Sequence, residues 1–294
     1  MRGVRLGLLL PALLVPDGLA AQGLPFHAET ALTTAFEERG LRTFLIYSPR
    51  ERITSFVAPL VVLPFAPHER VTTKIVIPVL HKELESPNGG GDELYSNGGL
   101  GDVSVAVKWA FFIRNRFAGT TRLALAVQAS FPTGSTDATF VDGRAAPRPL
   151  QLGAGAFAAG AILAGTAIRG RWGISISLGQ TRHASGKGYR FGAATRYDLA
   201  IGLRFPKRVE TIRTSTLQLY LELNGSLRAS DRADGSRVED SGGHMAFLSP
   251  ALQWVPLPQL LIEASVQIPV IQDLDGSQPR FGLRPAAGAR FLFF

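Results

Sequence analysis

Residues Arg190–Phe205 read RFGAATRYDLAIGLRF, and the period of this stretch decides the fold. Taken by twos, Phe191, Ala193, Thr195, Tyr197, Leu199, Ile201, Leu203 and Phe205 fall on one face. Arg190, Gly192, Ala194, Arg196, Asp198, Ala200, Gly202 and Arg204 fall on the other. A helix would scatter both sets around its circumference, whereas successive side chains of a strand point to opposite faces. The stretch therefore predicts a strand, one long enough to cross a membrane.

The same period recurs on both sides. Leu217, Leu219, Leu221, Leu223, Gly225 and Leu227 alternate with Gln218, Tyr220, Glu222, Asn224, Ser226 and Arg228. Val103, Val105, Val107, Trp109, Phe111 and Ile113 alternate with Asp102, Ser104, Ala106, Lys108, Ala110 and Phe112. Leu123, Leu125, Val127, Ala129 and Phe131 alternate with Arg122, Ala124, Ala126, Gln128 and Ser130, and Leu260 to Val270 repeats the pattern against Glu263, Ser265 and Gln267. Twelve such segments are predicted, at about 40–49, 53–65, 70–81, 100–113, 120–132, 150–164, 170–182, 189–205, 213–228, 243–255, 259–271 and 281–294. Short connections such as APHE, AIRG and PLP alternate with long ones rich in Gly, Pro, Asp and Ser, such as PTGSTDATFVDGRAAPRP and ASDRADGSRVEDSGG. Strands this long exceed those of a soluble sandwich, and an even number with short turns on one side and longer loops on the other is what an outer-membrane barrel requires. The expected fold is all-β, a transmembrane antiparallel up-and-down β-barrel of about twelve strands, with fourteen as the alternative.

The N-terminus supplies the destination. MRGVRLGLLLPALLVPDGLAAQG has two early arginines, an apolar run too short to span a bilayer, and small residues before Gln22. This reads as a secretory signal peptide over residues 1–21, cut after Ala21. Residues 22–40 are then a periplasmic N-terminal segment or a small plug, and 41–294 the barrel, located in the bacterial outer membrane. With 46% hydrophobic and 18% charged residues the chain is not compositionally disordered, and with no cysteine it relies on hydrogen bonding and packing rather than disulfides. Removing the leader lowers the formal charge of +8 by one, and the remaining basic residues are scattered, which leaves no nucleic-acid footprint.

Two runs test the barrel reading. Leu152 to Ile168, LGAGAFAAGAILAGTAI, is uncharged, but its glycines make it a poor helix and favour a glycine-rich strand ending in a turn. Met245 to Ile262 is also uncharged, and Pro250, Pro256 and Pro258 mark a turn between two strands within it.

The segments GGLGDVSVAVKWAFF, TTRLALAVQASFPTGS, LQLGAGAF, RYDLAIGLRF, YLELNG, GGHMAFLSPALQW and LLIEASVQIPVIQDLDG together resemble the Gram-negative outer-membrane proteins grouped as meta-pathway phenol-degradation transporters. The resemblance covers about residues 30–294 and is most specific at Gly99 to Asp102 and Phe131 to Gly134. It implies a barrel related to the hydrophobic-compound channels, passing small, often aromatic, organic solutes. It also implies recognition of the C-terminal Phe294 by the barrel-assembly machinery. In physical terms, Gly99 and Gly101 allow a tight loop-to-strand junction whose free amides Asp102 accepts, and Pro132 to Gly134 stops a strand and opens a long loop.

No pattern for a metal or another cofactor is present, because His27, His68, His81, His183 and His244 are isolated. His183 and Ser185 in HASGK form the one dyad that an outer-membrane hydrolase could use, and a structural or adhesive barrel acting through its loops is the third alternative. With the apolar faces toward outer-membrane lipid, Lys74, Lys108, Arg122, Gln128, Arg196, Asp198, Arg204, Gln218, Glu222, Asn224, Glu263, Gln267, Arg284 and Arg290 are expected to line the lumen. There they would form a solute path or a network of cross-strand pairs. The terminal strand has two registers. Counting by twos from Phe293 through Phe291, Ala289, Ala287, Pro285 and Leu283 to Phe281 keeps the arginines inside, whereas counting from Phe294 puts Arg290 and Arg284 in lipid.

Overall fold

The computed structural model describes residues 25–33, 39–51, 53–85, 93–206 and 215–293. The expected leader at 1–21 and the terminal Phe294 lie outside the described residues. Among the described residues the chain is built from strands: β1 (Arg39–Arg50), β2 (Ile53–His68), β3 (Val71–Glu85), β4 (Glu93–Leu100), β5 (Ser104–Arg116), β6 (Gly119–Ser130), β7 (Ala158–Arg169), β8 (Trp172–His183), β9 (Tyr189–Arg190), β10 (Ala194–Phe205), β11 (Thr216–Arg228), β12 (Arg232–Ala233), β13 (Ser236–Arg237), β14 (Gly243–Leu257), β15 (Leu260–Leu274) and β16 (Arg284–Phe293). No described helix is long and apolar enough to cross a membrane.

The long strands pair antiparallel in chain order, and β16 closes on β1 with Arg42 opposite Arg290 and Ile46 opposite Ala286. Because β4 and β5 lie end to end against β3, the thirteen long strands described fill twelve positions in the wall, the expected number rather than the alternative of fourteen. The two-residue strands β9, β12 and β13 form a separate three-stranded patch in the loops. Closure matters because hydrocarbon offers no partner for an open strand edge. β4 pairs with β3 alone among the described strands, and its free side is met by the loop over 131–157. There Tyr95 donates to the carbonyl of Leu150.

The start of β1 and the end of β16 lie at the same end of the barrel, together with the tight turns at 69–70, 117–118, 170–171 and 258–259. The connections over 131–157, 184–193, 229–242 and 275–283 lie at the opposite, loop end, while the link from β10 to β11 is at the turn end. The alternation resolves as expected. Ile174, Ile176 and Leu178 are 46%, 61% and 58% exposed, while Ser175 and Ser177 between them are buried. All three tryptophans, Trp109, Trp172 and Trp254, face outward toward the turn end, where amphipathic rings suit a membrane interface.

Several boundaries differ from the sequence expectation. The Arg190–Phe205 stretch becomes a continuous strand only from Ala194. The Gly192 amide donates to Asp231, and Phe191 stacks with Tyr189 and His183 instead of facing lipid. The segment expected at 150–164 begins at Ala158, opposite the last residue of β6. Its first part stays in the loop because Gln151 clamps the backbone of Ala138 and Ala146. Part of the expected loop before Gly99 is instead β4. In β5 a register shift between Trp109 and Phe112 exchanges the faces. Phe112 is exposed and Ile113 packs inward, the reverse of strict alternation.

In β16, Arg284 and Arg290 point inward and Leu283 and Phe291 outward. The opposite register would place arginines in lipid at about 2–4 kcal/mol each at the midplane and less near the interface. Phe281, expected on the lipid face, precedes the strand and is buried against Phe247. The side chain of Phe293 lies outside the described residues.

An Ile176→Arg substitution puts a cation on the most exposed part of the β8 outer face. It is expected to cost about 2–4 kcal/mol in guanidinium unfolding from lipid vesicles. An unchanged midpoint would mean that Ile176 does not meet lipid.

Candidate functional site: the lumen and its N-terminal segment

The lumen is polar where the strands alternate and small where something passes through it. Residues 25–33 carry no regular secondary structure and cross the interior near the turn end from one wall to another. The inward face of the facing strands is reduced to small residues, with Ala31 packed against Ala110, Ala124 and Ala164. Gly202 matters for the same reason: a Cβ there would stand 2.5 Å from the Tyr220 ring, which lies across it beside the segment.

Charged side chains tie the segment down. The Glu222 carboxylate on β11 accepts the backbone amides of Phe26, His27 and Ala28 at 2.6, 3.0 and 2.7 Å. Arg42 on β1 and Arg290 on β16 donate to the carbonyls of Phe26 and Pro25 at 2.8 and 3.3 Å. The same two arginines flank Glu263 on β15 at 2.7 and 2.9 Å, and Gln253 donates to Oε2, the oxygen that Arg290 reaches at 2.9 Å. Glu222 and Glu263 are almost fully buried, and each has its lone pairs taken up, as buried carboxylates require.

At the opposite wall Glu29 lies between Lys74 on β3, at 2.8 Å, and Lys108 on β5. Lys108 also donates to the Leu32 carbonyl. The Ala31 amide donates to Thr166, and Thr33 bridges from the Glu69 carbonyl to Arg122. Burial would raise the Glu29 carboxyl, but the facing ammonium groups of Lys108 and Lys74 outweigh it and hold the carboxyl well below the usual range. Burial, with Arg284 and Arg42 facing it, lowers the His27 imidazole to about 3, so it is neutral and contacts the Ser265 hydroxyl.

The residues expected to line the lumen are spread over its height and do not form one site. Lys74, Lys108, Arg122, Glu222, Glu263 and Arg290 converge on residues 25–33 or on their immediate support. Gln218 accepts the Tyr220 hydroxyl, and Gln267 is buried in the same wall. Arg204 is buried with its Nε unpartnered. Asp198 accepts from Ser177 and Asn224 at mid-height, and Gln128 bonds Thr181 across β7. Arg196 and Arg284 stand in the loop half. The alternation of β1 carried no charged residue into the expected set, so Arg42 was missed there, although its place between apolar outward neighbours is the same signal.

The two most specific motifs turn out to interlock. Asp102 accepts the amides of Gly134 and Ala154 at 2.9 and 2.7 Å, and Thr133 accepts the amide of Val103. Gly134 and Gly153 pack backbone to backbone, so that a Cβ on either would meet the other below 3 Å. They fasten the 131–157 loop over the break between β4 and β5. His183 stacks on Phe191, and among the described residues no hydrogen bond joins it to Ser185.

Replacing Glu29 by alanine leaves Lys74 and Lys108 unpaired, and breaking such a buried pair costs about 3–5 kcal/mol. The expected result is protease cleavage within residues 25–33 of the folded barrel, where the unmodified protein is protected. A carboxyl lowered in the folded state stabilises above its unfolded range and loses that stabilisation only as pH falls through the lowered value. Protection should therefore persist at about pH 5 as at neutral pH, near the unperturbed range. Cleavage of the unmodified protein on such mild acidification would contradict the Glu29 anchor.

The fold has solved counterparts. It superposes on the crystal structure of an outer membrane channel from Pseudomonas putida F1 with a TM-score of 0.70 at 12% identity, covering 92% of this chain and 100% of that one. The β domain of the Bordetella autotransporter BrkA follows at 0.47 and 12%, covering 87% and 99%, and the NanC porin at 0.46 and 11%, covering 85% and 98%. No curated protein matches the sequence significantly. The profile of a family described as "Putative MetA-pathway of phenol degradation" matches residues 65–270. With that match spanning well over half of the chain and a closed twelve-strand barrel built around it, the protein is an outer-membrane β-barrel and belongs to this family.

Proposed function

We propose that the protein is a passive outer-membrane channel for small organic solutes, with residues 25–33 acting as a plug near the periplasmic mouth. The observation that carries this reading is the pairing of a polar, charge-lined lumen with a chain segment held across it by hydrogen bonds and ion pairs rather than by a strand ladder. A barrel that served only as a structural wall would have no need of an interior fitted to an irregular segment of its own chain. Likeness to the Pseudomonas outer membrane channel supports the channel reading, and membership of a phenol-degradation family supports an organic solute. Orientation follows from the barrel rule that short turns face the periplasm and longer loops the exterior.

In this reading the inward-facing charges have two roles. Glu222, Glu263, Lys74 and Lys108 hold the plug, while the residues above it meet solute arriving through the loops. Displacing the plug requires exchanging its hydrogen bonds for water, which the lumen can supply. Flux is then set by the fraction of time for which the segment is released.

Single-channel recording in planar bilayers tests this. Deleting residues 25–33 is expected to raise conductance several-fold, and Glu29→Ala to lengthen or multiply open events. Swelling of liposomes in phenol or benzoate solutions should accelerate in parallel. Equal conductance with and without the segment would remove its role as a plug, and a silent barrel in both forms would remove the channel.

A further inference from the structure

Some cations of the lumen have carboxylate partners and others, including Arg122 and Arg204 near the turn end, have none within ion-pair distance among the described residues. Near the turn end, Lys74 and Lys108 share Glu29, and Arg42 and Arg290 share Glu263. Higher up, Arg228 pairs with Asp231. In the loop half, Arg50 at the end of β1, Arg284 at the start of β16 and Arg196 on β10 have no carboxylate within ion-pair distance among the described residues. Asp198, two positions along from Arg196 on the same face, is turned to Ser177 and Asn224. The Lys82 ammonium meets only the carbonyls of Pro149 and Gln151.

Two of them, Arg50 and Arg284, are mounted rather than loose. Arg50 stacks on the Phe281 ring with its guanidinium carbon 3.8 Å from the centroid. Arg284 stands over the same ring at 5.3 Å and over Phe247 at 5.2 Å. The two rings are buried and meet edge to face at 5.7 Å. Gln272 clamps the Phe281 backbone in both directions. Arg284 donates Nε to Ser48, which leaves its two terminal nitrogens without a protein partner among the described residues. Stacking takes the faces of the guanidinium groups and leaves their edges, which carry the N–H donors, for a ligand. Below them lies His27, which is neutral and brings no charge of either sign.

Arg284 lies close enough to Arg50 and to Arg196 for each pair to repel, and of the three only Arg196 has a carboxylate, Asp198, acting on it. Like charges that outnumber the carboxylates facing them in partly desolvated surroundings form a site for an anion. A planar fork of donors selects a planar, two-oxygen acceptor over a point charge. We propose that Arg50, Arg284 and Arg196 form a binding site for organic carboxylates in the loop half of the lumen, above the plug. It selects the acid anion over the uncharged form of a similar solute. This inference rests on the channel reading for its purpose, but not for its test.

The test is equilibrium dialysis of labelled benzoate against the full chain folded in detergent. Benzoate is expected to bind, benzamide not to compete, and Arg50→Gln with Arg284→Gln to weaken binding at least ten-fold. Arg196→Gln is the variant that spares the fold, because Arg196 is exposed and, among the described residues, makes no hydrogen bond or ring contact. It should weaken benzoate binding several-fold with the barrel intact. Equal affinity in the variants, or equal competition by benzamide, chloride or phosphate, would overturn the site. Binding retained in a barrel without conductance would count against the channel and leave the site standing. Conductance without benzoate binding would do the reverse.

Discussion

The structure depends on a single constraint, that a strand edge in hydrocarbon must find a partner. Pairing of β16 with β1 meets it, and the other features follow from the closed wall. Once the wall is closed, one face of each strand belongs to lipid and the other to an interior too wide to be filled by strand side chains alone. Leu, Ile and Val occupy the first face and Gln, Glu, Ser, Arg and Ala the second. The interior then needs a charge balance of its own, because carboxylates such as Glu222 and Glu263 are cut off from bulk water.

That balance explains why a short stretch of irregular chain is held so firmly. The three amides at Phe26 to Ala28 give Glu222 donors that no neighbouring strand could supply, since strand amides are committed to the ladder. Glu29 offsets two lysines on adjacent strands that would otherwise repel one another. The segment and the wall therefore complete each other's polar groups. In the loop half Arg50 and Arg284 lack such compensation and are placed by aromatic rings and a hydroxyl instead of by carboxylates.

Much of this was legible in the residues themselves. The alternation at Leu217 to Arg228 held through the whole of β11, because both of its neighbours pair without a register shift there. The arginines of β16 were placed inward by the cost of the alternative. The readings that failed did so where a local device breaks the period. A bulge after Trp109 reversed Phe112 and Ile113, the Asp231 bond to Gly192 kept Phe191 out of the strand, and Gln151 kept its neighbours in the loop. Each device depends on a partner distant in sequence, and a period-two count carries no information about it.

The sequence alone determined the barrel, its approximate strand number and the inward or outward facing of most side chains, since these follow from a period that lipid and water impose locally. It also marked Gly99 to Asp102 and Phe131 to Gly134 as turn chemistry, which they are. Only the tertiary structure decided that these motifs grip each other, that residues 25–33 lie inside the wall, and which cations have partners. Facing is set by neighbours along the chain. Pairing is set by closure, which brings Glu29 to Lys108 and Arg50 to Phe281 from opposite parts of the sequence.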